Sequence, residues 1–193
     1  MENTKNKLGI LLISGGFDSA VSGYLMQKQG IEIIAIHFSY EPFTDNSPEL
    51  KSKAASDHLN FKKFISINIG KEVESIAKNC KHKYYFVLSK RLMLKKAEEI
   101  AKKENADFII TGESLAQVGS QTLSNLNSIT NATKIQILRP LLTYDKEEII
   151  KIAREIGTYD ICIGPEVCDC LGPKHPATRT NIQEILIEEQ KLK

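Results

Sequence analysis

Ser14-Gly15-Gly16-Phe17-Asp18-Ser19 is the stretch of this chain with the clearest chemical meaning, because it joins the apolar run Leu11-Leu12-Ile13 to a helical pattern through two adjacent glycines. Such a turn aims unpaired backbone N–H groups and the positive end of a helix dipole at whatever lies above it. Glycine also lets an anion approach without a Cβ in the way. A nucleotide phosphate is the ligand this suits. The spacing differs from the Walker loop, which ends in Gly-Lys-Ser/Thr, and from the three-glycine dinucleotide fingerprint. Asp18 would repel bound phosphates unless a cation lay between them, which points to Mg²⁺-mediated handling of those phosphates.

Three other groups of residues could do chemistry. The polar run from Thr111 through Gly112, Glu113, Ser114 and Gln117 to Gln121 and Leu123 follows a predicted strand. Ligands of open α/β sheets bind beyond the carboxyl ends of strands, so this run is expected to face the first loop. Lys146 stands at a predicted helix start, where the helix dipole disfavours a cation, and an anion close by is expected to compensate. Of the four cysteines, Cys80, Cys162, Cys168 and Cys170, Cys162 lies in the apolar run Ile161-Cys162-Ile163 and is expected to be buried. Cys168 and Cys170 follow Gly164 and Pro165 on a loop that would hold them outside the sheet. Glu166 and Asp169 beside them raise a thiol pKa, so an opposing cation or metal would be needed to keep a thiolate.

The elements that must position these residues alternate between apolar runs and helical patterns, the order expected of an α/β fold with a doubly wound parallel sheet. Strands are predicted at 8–13, 31–38, 64–67 and 107–111, each rich in Ile, Leu or Phe. Helices are predicted at 19–29, stopped by Gly30, at 48–59, at 87–104, and at 146–156, capped by Asp145 and stopped by Gly157.

Size and composition set the outer bounds. With 193 residues and 41% hydrophobic content, one core and one domain are expected: a polar tail at about 1–7, a core at about 8–180 and a terminal helix at about 180–193. A formal net charge of +2 argues neither for nor against a nucleic-acid partner. No apolar run approaches the roughly 20 residues of a membrane span, and the polar start has no signal-peptide segment, so no membrane contact and a cytoplasmic location are expected. Four cysteines are too few for a disulfide scaffold. The lysine-rich stretch Lys71, Lys78, Lys81, Lys83, Lys90, Arg91, Lys95 and Lys96 outweighs its few acids and is a candidate contact for RNA phosphates.

The Ser-Gly-Gly-x-Asp-Ser loop resembles that of the PP-loop ATP pyrophosphatases. Together with Thr111-Gly112-Glu113-Ser114, Arg139-Pro140-Leu141-Leu142, Tyr144-Asp145-Lys146, Ile156-Gly157-Thr158 and Pro165-Glu166-Val167-Cys168, it makes the chain similar to the PP-loop domain of the ThiI-type tRNA 4-thiouridine synthases, from about Leu8 to about Thr180. The resemblance implies an enzyme that uses ATP and Mg²⁺ to adenylate a tRNA uridine at O4, releases pyrophosphate and lets a sulfur nucleophile displace AMP. It also implies site roles. Leu12, Ile13, Ser14, Gly15, Gly16, Ser19, His37, Phe38, Lys90, Gly112 and Gln121 match nucleotide-binding positions, Asp18 and Lys146 match catalytic ones, and Cys168 matches the sulfur-handling cysteine, with Cys170 or Cys80 a possible second thiol. The sulfur donor would be a cysteine desulfurase persulfide or sulfide.

Two departures from the family pattern qualify the transfer. Family members usually carry an N-terminal THUMP-containing RNA-binding portion, so a separate THUMP-domain protein is an expected partner. Some members hold an iron–sulfur cluster through a Cys-x-x-Cys whose positions are Phe86 and Ser89 here, so no cluster is expected. Two further readings stand beside the first: a PP-loop enzyme adenylating another acceptor, and a non-enzymatic nucleotide-binding regulator.

Overall fold

Strand β1 (Leu8–Leu12) is buried on both faces, with Ile10 in one apolar cluster and Leu11 in another, both at 0% exposure. A strand so placed must sit in the middle of a sheet covered by helices on two sides. In this computed structural model, residues 7–115, 122–164 and 171–192 are described. The elements after β1 are α1 (Phe17–Lys28), β2 (Glu32–Ser39), α2 (Ser47–His58), β3 (Lys63–Asn68), α3 (Gly70–Asn79), a 3₁₀ turn (His82–Tyr84), α4 (Tyr85–Glu104), β4 (Phe108–Ile110), α5 (Leu123–Thr130), β5 (Gln136–Leu138), α6 (Lys146–Glu155), α7 (Tyr159–Cys162) and α8 (Ile182–Gln190).

The sheet is parallel throughout, in the order β3-β2-β1-β4-β5. Its first three strands step outward to one edge and β4 then pairs with the other side of β1. The direction of winding therefore reverses between β1 and β4, and a crevice opens there beyond the strand ends. Helices α1, α2, α6 and α7 cover one face through Val21, Ala55, Leu59, Ile149 and Cys162. The other face carries α3, α4, α5 and α8 through Val73, Leu88, Leu94, Ile129 and Ile185. None of the described helices is long and apolar enough to cross a membrane.

The expected strands and helices are all present, with ends displaced by a residue or two. The terminal helix is shorter than expected, Ile182–Gln190. Helix α8 is fastened by charge as well as packing. Arg91, only 1% exposed, donates to Glu189 at 2.9 and 3.0 Å and also to the Ser128 carbonyl, and Tyr84 bonds Glu184. Burial pushes the Glu189 carboxyl up, but Arg91 and Lys95 outweigh it and hold the group below the ordinary carboxylate range.

Part of the lysine-rich stretch expected to contact RNA phosphates is already paired within the fold. Arg91 is inside the fold, and Lys78, Lys95 and Lys96 are paired with Glu74, Glu189 and Glu72 at 2.6, 2.8 and 2.9 Å. A lysine already neutralised by a neighbouring carboxylate adds little net attraction for a phosphate.

Candidate functional site

The loop after β1 is built around its own hydroxyls. Ser19 Oγ donates to the Gly16 carbonyl at 2.8 Å and accepts from the Ser14 amide at 3.2 Å, closing a tight turn at the start of α1. Gly15 has φ +83°, and a Cβ on it would lie 2.7 Å from the Pro48 carbonyl oxygen, so the first turn of α2 packs against it and only glycine fits. Gly16 is different: a Cβ there would meet nothing nearer than Ser14 Oγ at 3.7 Å. Protein packing leaves the space above Gly16 open, where the unpaired N–H groups of a helix N-terminus favour an anion.

The loop after β4 approaches from the other side of the crevice. A Cβ on Gly112 would fall 2.9 Å from the Ser19 backbone, so the two loops touch main chain to main chain. Ser114 Oγ donates to the Tyr144 carbonyl and the Leu115 amide to the Leu142 carbonyl, both at 3.1 Å, which ties this loop to the segment leading into α6. Asp145 caps α6 in a reciprocal box with Glu148, and Val21, Leu141, Ile149 and Ala153 seat α6 on α1. The result is that Lys146 Nζ lies 3.0 and 3.1 Å from the two Asp18 carboxylate oxygens and 4.4 Å from the centre of the Phe17 ring. The anion expected beside Lys146 is thus Asp18, from a residue far away in sequence.

Between the two loops and α4 lies a cleft of about 380 Å³. Leu12, Ser14, Asp18, Ser19, Lys90 and Gly112 line it, and Tyr40, Phe86, Met93 and Ile129 supply apolar walls. Five other expected nucleotide contacts, Ile13, Gly15, Gly16, His37 and Phe38, are not among the residues of this lining. Ile13 and Phe38 are buried, and the His37 ring is turned toward α2. His37 Nδ1 donates to the Ile13 carbonyl at 3.0 Å, with Ser52 Oγ at 3.1 Å, and burial holds its pKa below the usual histidine value. The reason is strand alternation: neighbouring side chains on β2 point to opposite faces, and His37 takes the face covered by α2. Gln121, Cys168 and Cys170 lie outside the described residues.

Glu113 is a feature of the cleft to which sequence reading gave no role. At 6% exposure it accepts from Lys90 at 2.8 Å, Arg139 at 2.7 Å and Thr111 Oγ1 at 3.1 Å. Burial would push this carboxyl up, but Lys90 and Arg139 hold it at about 2. The available signal was a glutamate directly after the glycine that ends a buried strand, with Arg139 placed likewise after β5. Between the ordinary carboxyl value of 4.5 and the folded value of about 2, the unfolded chain binds the extra proton. The stabilisation is therefore complete above 4.5 and fades as the pH falls toward 2, by about 3 kcal/mol in all. Denaturant midpoints measured across that window should fall more steeply for the wild type than for Glu113→Gln, and parallel curves would show that Glu113 is not the group responsible.

The two described cysteines are unsuited to sulfur transfer. Burial pushes the Cys162 thiol up to about 11, and Cys80 is buried with its thiol donating to the Glu188 carbonyl at 3.4 Å. Burial, then Glu188, raises the Cys80 pKa as well. Cys80 is thereby removed as a candidate second thiol. Among the described residues no cluster of three or more His, Cys, Asp or Glu side chains could hold a metal ion. A single carboxylate such as Asp18, beside the Ser14 and Ser19 hydroxyls, is the donor set Mg²⁺ uses when phosphate oxygens and water complete its shell.

Comparison with known proteins places these features in context. The family described as thiamine biosynthesis protein (ThiI) matches residues 4–193. A probable tRNA sulfurtransferase of Finegoldia magna is 41% identical over 190 residues, covering 95% of this chain and 49% of that protein. One from Halothermothrix orenii is 42% identical over 191 residues, covering 96% and 48%. The chain thus spans about half the length of the curated relatives it matches. Among solved structures, a 4-thiouridine synthetase crystallised with RNA and bound ATP superposes with a TM-score of 0.91 at 36% identity, over 96% of this chain and 50% of that one.

Proposed function

We propose, on the premise that the chain belongs to the ThiI family, that it is the ATP-using domain of a tRNA sulfurtransferase that makes 4-thiouridine. The observation carrying this reading is the cleft at the β1–β4 crossing. There an open helix N-terminus, the Asp18–Lys146 pair and an apolar wall meet, in a chain similar to a synthetase whose structure holds ATP and RNA.

In this reading adenosine lies along Leu12, Tyr40, Phe86 and Met93, and the phosphates rest over the N–H groups of the loop from Ser14 to Ser19. Lys90 and Gly112 border the nucleotide. The uridine O4 attacks the α phosphorus, the bond from that phosphorus to the β-bridging oxygen breaks, pyrophosphate leaves and the uracil N3 proton is lost. Lys146 neutralises charge that develops on the leaving pyrophosphate, and Asp18 would hold Mg²⁺, which supplies charge neutralisation for the phosphates. A persulfide carried on Cys168 then attacks C4 through its terminal sulfur. The C4–O bond breaks with release of AMP. A second thiol, from Cys170 or a partner protein, attacks the inner sulfur, leaving thiouridine and a disulfide that a thiol reductant reopens. The amide-forming alternative leaves Cys168 without a task.

RNA binding is assigned mainly to a THUMP-containing unit outside these residues, because so many cations of the basic stretch are already paired. Titrating tRNA onto the 193-residue chain across a salt series tests both points. Weak binding, roughly in the 10⁻⁴ to 10⁻⁶ M range of non-specific contacts near physiological salt, and steep salt dependence are expected. Adding a THUMP protein from the same cell should raise affinity and thionucleoside yield together. Tight binding and full-rate thiolation by the chain alone would overturn the division of labour, and no thionucleoside under any condition would overturn the function.

A further inference from the structure

We propose that Lys51, on α2, is a second cation of the pyrophosphate subsite, standing across the loop from Lys146; the proposal rests on reading that loop as the phosphate site. Two glycines make room for this one side chain. Its Cβ lies 3.4 Å from where a Cβ on Gly15 would be, and its Nζ lies 2.9 Å from where one on Gly164 would be. The lysine therefore starts against the loop and ends over the residue that follows α7. Its charge is felt at Cys162 together with that of Asp18, so Lys51 and Asp18 share one corner of the molecule.

Charge balance indicates what Lys51 serves there. Lys146 is matched by Asp18 at 3.0 Å, and Lys90 by Glu113 at 2.8 Å. Lys51 is only partly exposed, and no ion pair holds it among the described residues. Asp45 feels its charge only weakly, its carboxyl being lowered first by Ser47 and lastly by Lys51. Among the described residues, the loop corner thus carries a positive charge that no ion pair matches, beside a helix N-terminus with open space above Gly16. A departing pyrophosphate bears several negative charges, more than Lys146 alone can match once Asp18 is turned to other work. The flexible four-carbon stem lets the ammonium swing from above Gly164 to above Gly15 and Gly16.

The test uses the 193-residue chain and three probes: inorganic pyrophosphate, ATP with Mg²⁺, and AMP, each titrated calorimetrically. Lys51→Met keeps the stem that packs on Gly15 and removes the charge, and Lys51→Arg restores it. Pyrophosphate and ATP should bind the Met variant roughly 10- to 100-fold more weakly, AMP within about twofold of wild type, and the Arg variant should recover most of the loss. Equal weakening of AMP would mark a general packing defect and overturn the proposal, with thermal melts of both variants showing whether the fold is intact. Unchanged pyrophosphate binding by Lys51→Met overturns the role of Lys51 while leaving the phosphate loop standing. A wild-type chain that binds neither pyrophosphate nor ATP overturns the phosphate-site reading itself.

Discussion

Asp18→Ala is expected to lower tRNA-dependent pyrophosphate release by roughly 100- to 1,000-fold while leaving the fold intact, a loss typical of removing one well-placed electrostatic group from a reaction centre. The two parts of this expectation have separate grounds. Stability should hardly move, because the Asp18–Lys146 pair is partly exposed, at 33% and 49% for the two side chains, and such pairs contribute about 0 to 1 kcal/mol. Catalysis should collapse, because Asp18 is the carboxylate on the first turn of α1 that lines the cleft where phosphates would lie. Without it the phosphates lose their bridge to a cation, and Lys146 loses the partner that fixes its position. Lys146→Ala should therefore be similarly damaging, and the double variant little worse than either single one, because groups acting as a unit are strongly non-additive. The measurement is pyrophosphate release with the same tRNA, alongside a thermal melt. Unchanged release by a folded Asp18→Ala protein would sink the assignment.

How far the sequence alone reaches can be judged from which elements it exposed. Helix α6 was readable end to end because its signals are local: Asp145 at the cap, isoleucines and alanine on one face, and Gly157 at φ +70° as the stop. Strands β1 and β2 were readable because burial on both faces leaves unbroken apolar runs. Helix α5, by contrast, is written in serine, asparagine and threonine, residues that favour caps and turns over helix interiors. Tertiary bonds hold it: Ser124 Oγ to the Thr180 carbonyl, Asn125 Nδ2 to the Ala177 carbonyl, and Thr180 Oγ1 to Ser128 Oγ, at 3.0, 2.8 and 2.8 Å. Strand β5 has three residues, too few for any alternation to register, and gains its place only by pairing with β4.

The same division runs through the candidate site. Ser14, Asp18, Ser19 and Gly112 are local turn chemistry, and the structure brings them together on the cleft. The contact of Asp18 with Lys146 spans 128 residues and that of Glu113 with Arg139 spans 26, so motifs could nominate each residue but not the pairing. His37 shows what a strand-end position leaves open: alternation along β2 decides which face its ring takes, and here the ring meets the Ile13 carbonyl and Ser52 on α2.

Cys168→Ser is expected to abolish thionucleoside formation, below about 1% of wild type, while pyrophosphate release persists, because activation and sulfur attack draw on different groups. Serine cannot carry a persulfide, so the second half-reaction loses its nucleophile. In the proposed mechanism the first half-reaction draws on the phosphate loop, Asp18 and Lys146, which this change leaves alone. Cys168 lies outside the described residues, and the case for it is its match to the sulfur-handling position of the ThiI family, with neither of the two described thiols suited to the task. Cys162, with its thiol pushed up to about 11, is a buried, protonated group at neutral pH, and Cys80 is tied to the Glu188 carbonyl. Cys162→Ser is the control: it should cost about 1 to 3 kcal/mol of stability by burying a hydroxyl, yet leave the ratio of sulfur transfer to pyrophosphate release unchanged. Mass spectrometry of tRNA nucleosides and a pyrophosphate assay on the same samples separate the two half-reactions. If Cys168→Ser loses both, the residue holds up the site instead of carrying sulfur; if it loses neither, the sulfur reaches C4 without it, delivered from a partner or as free sulfide.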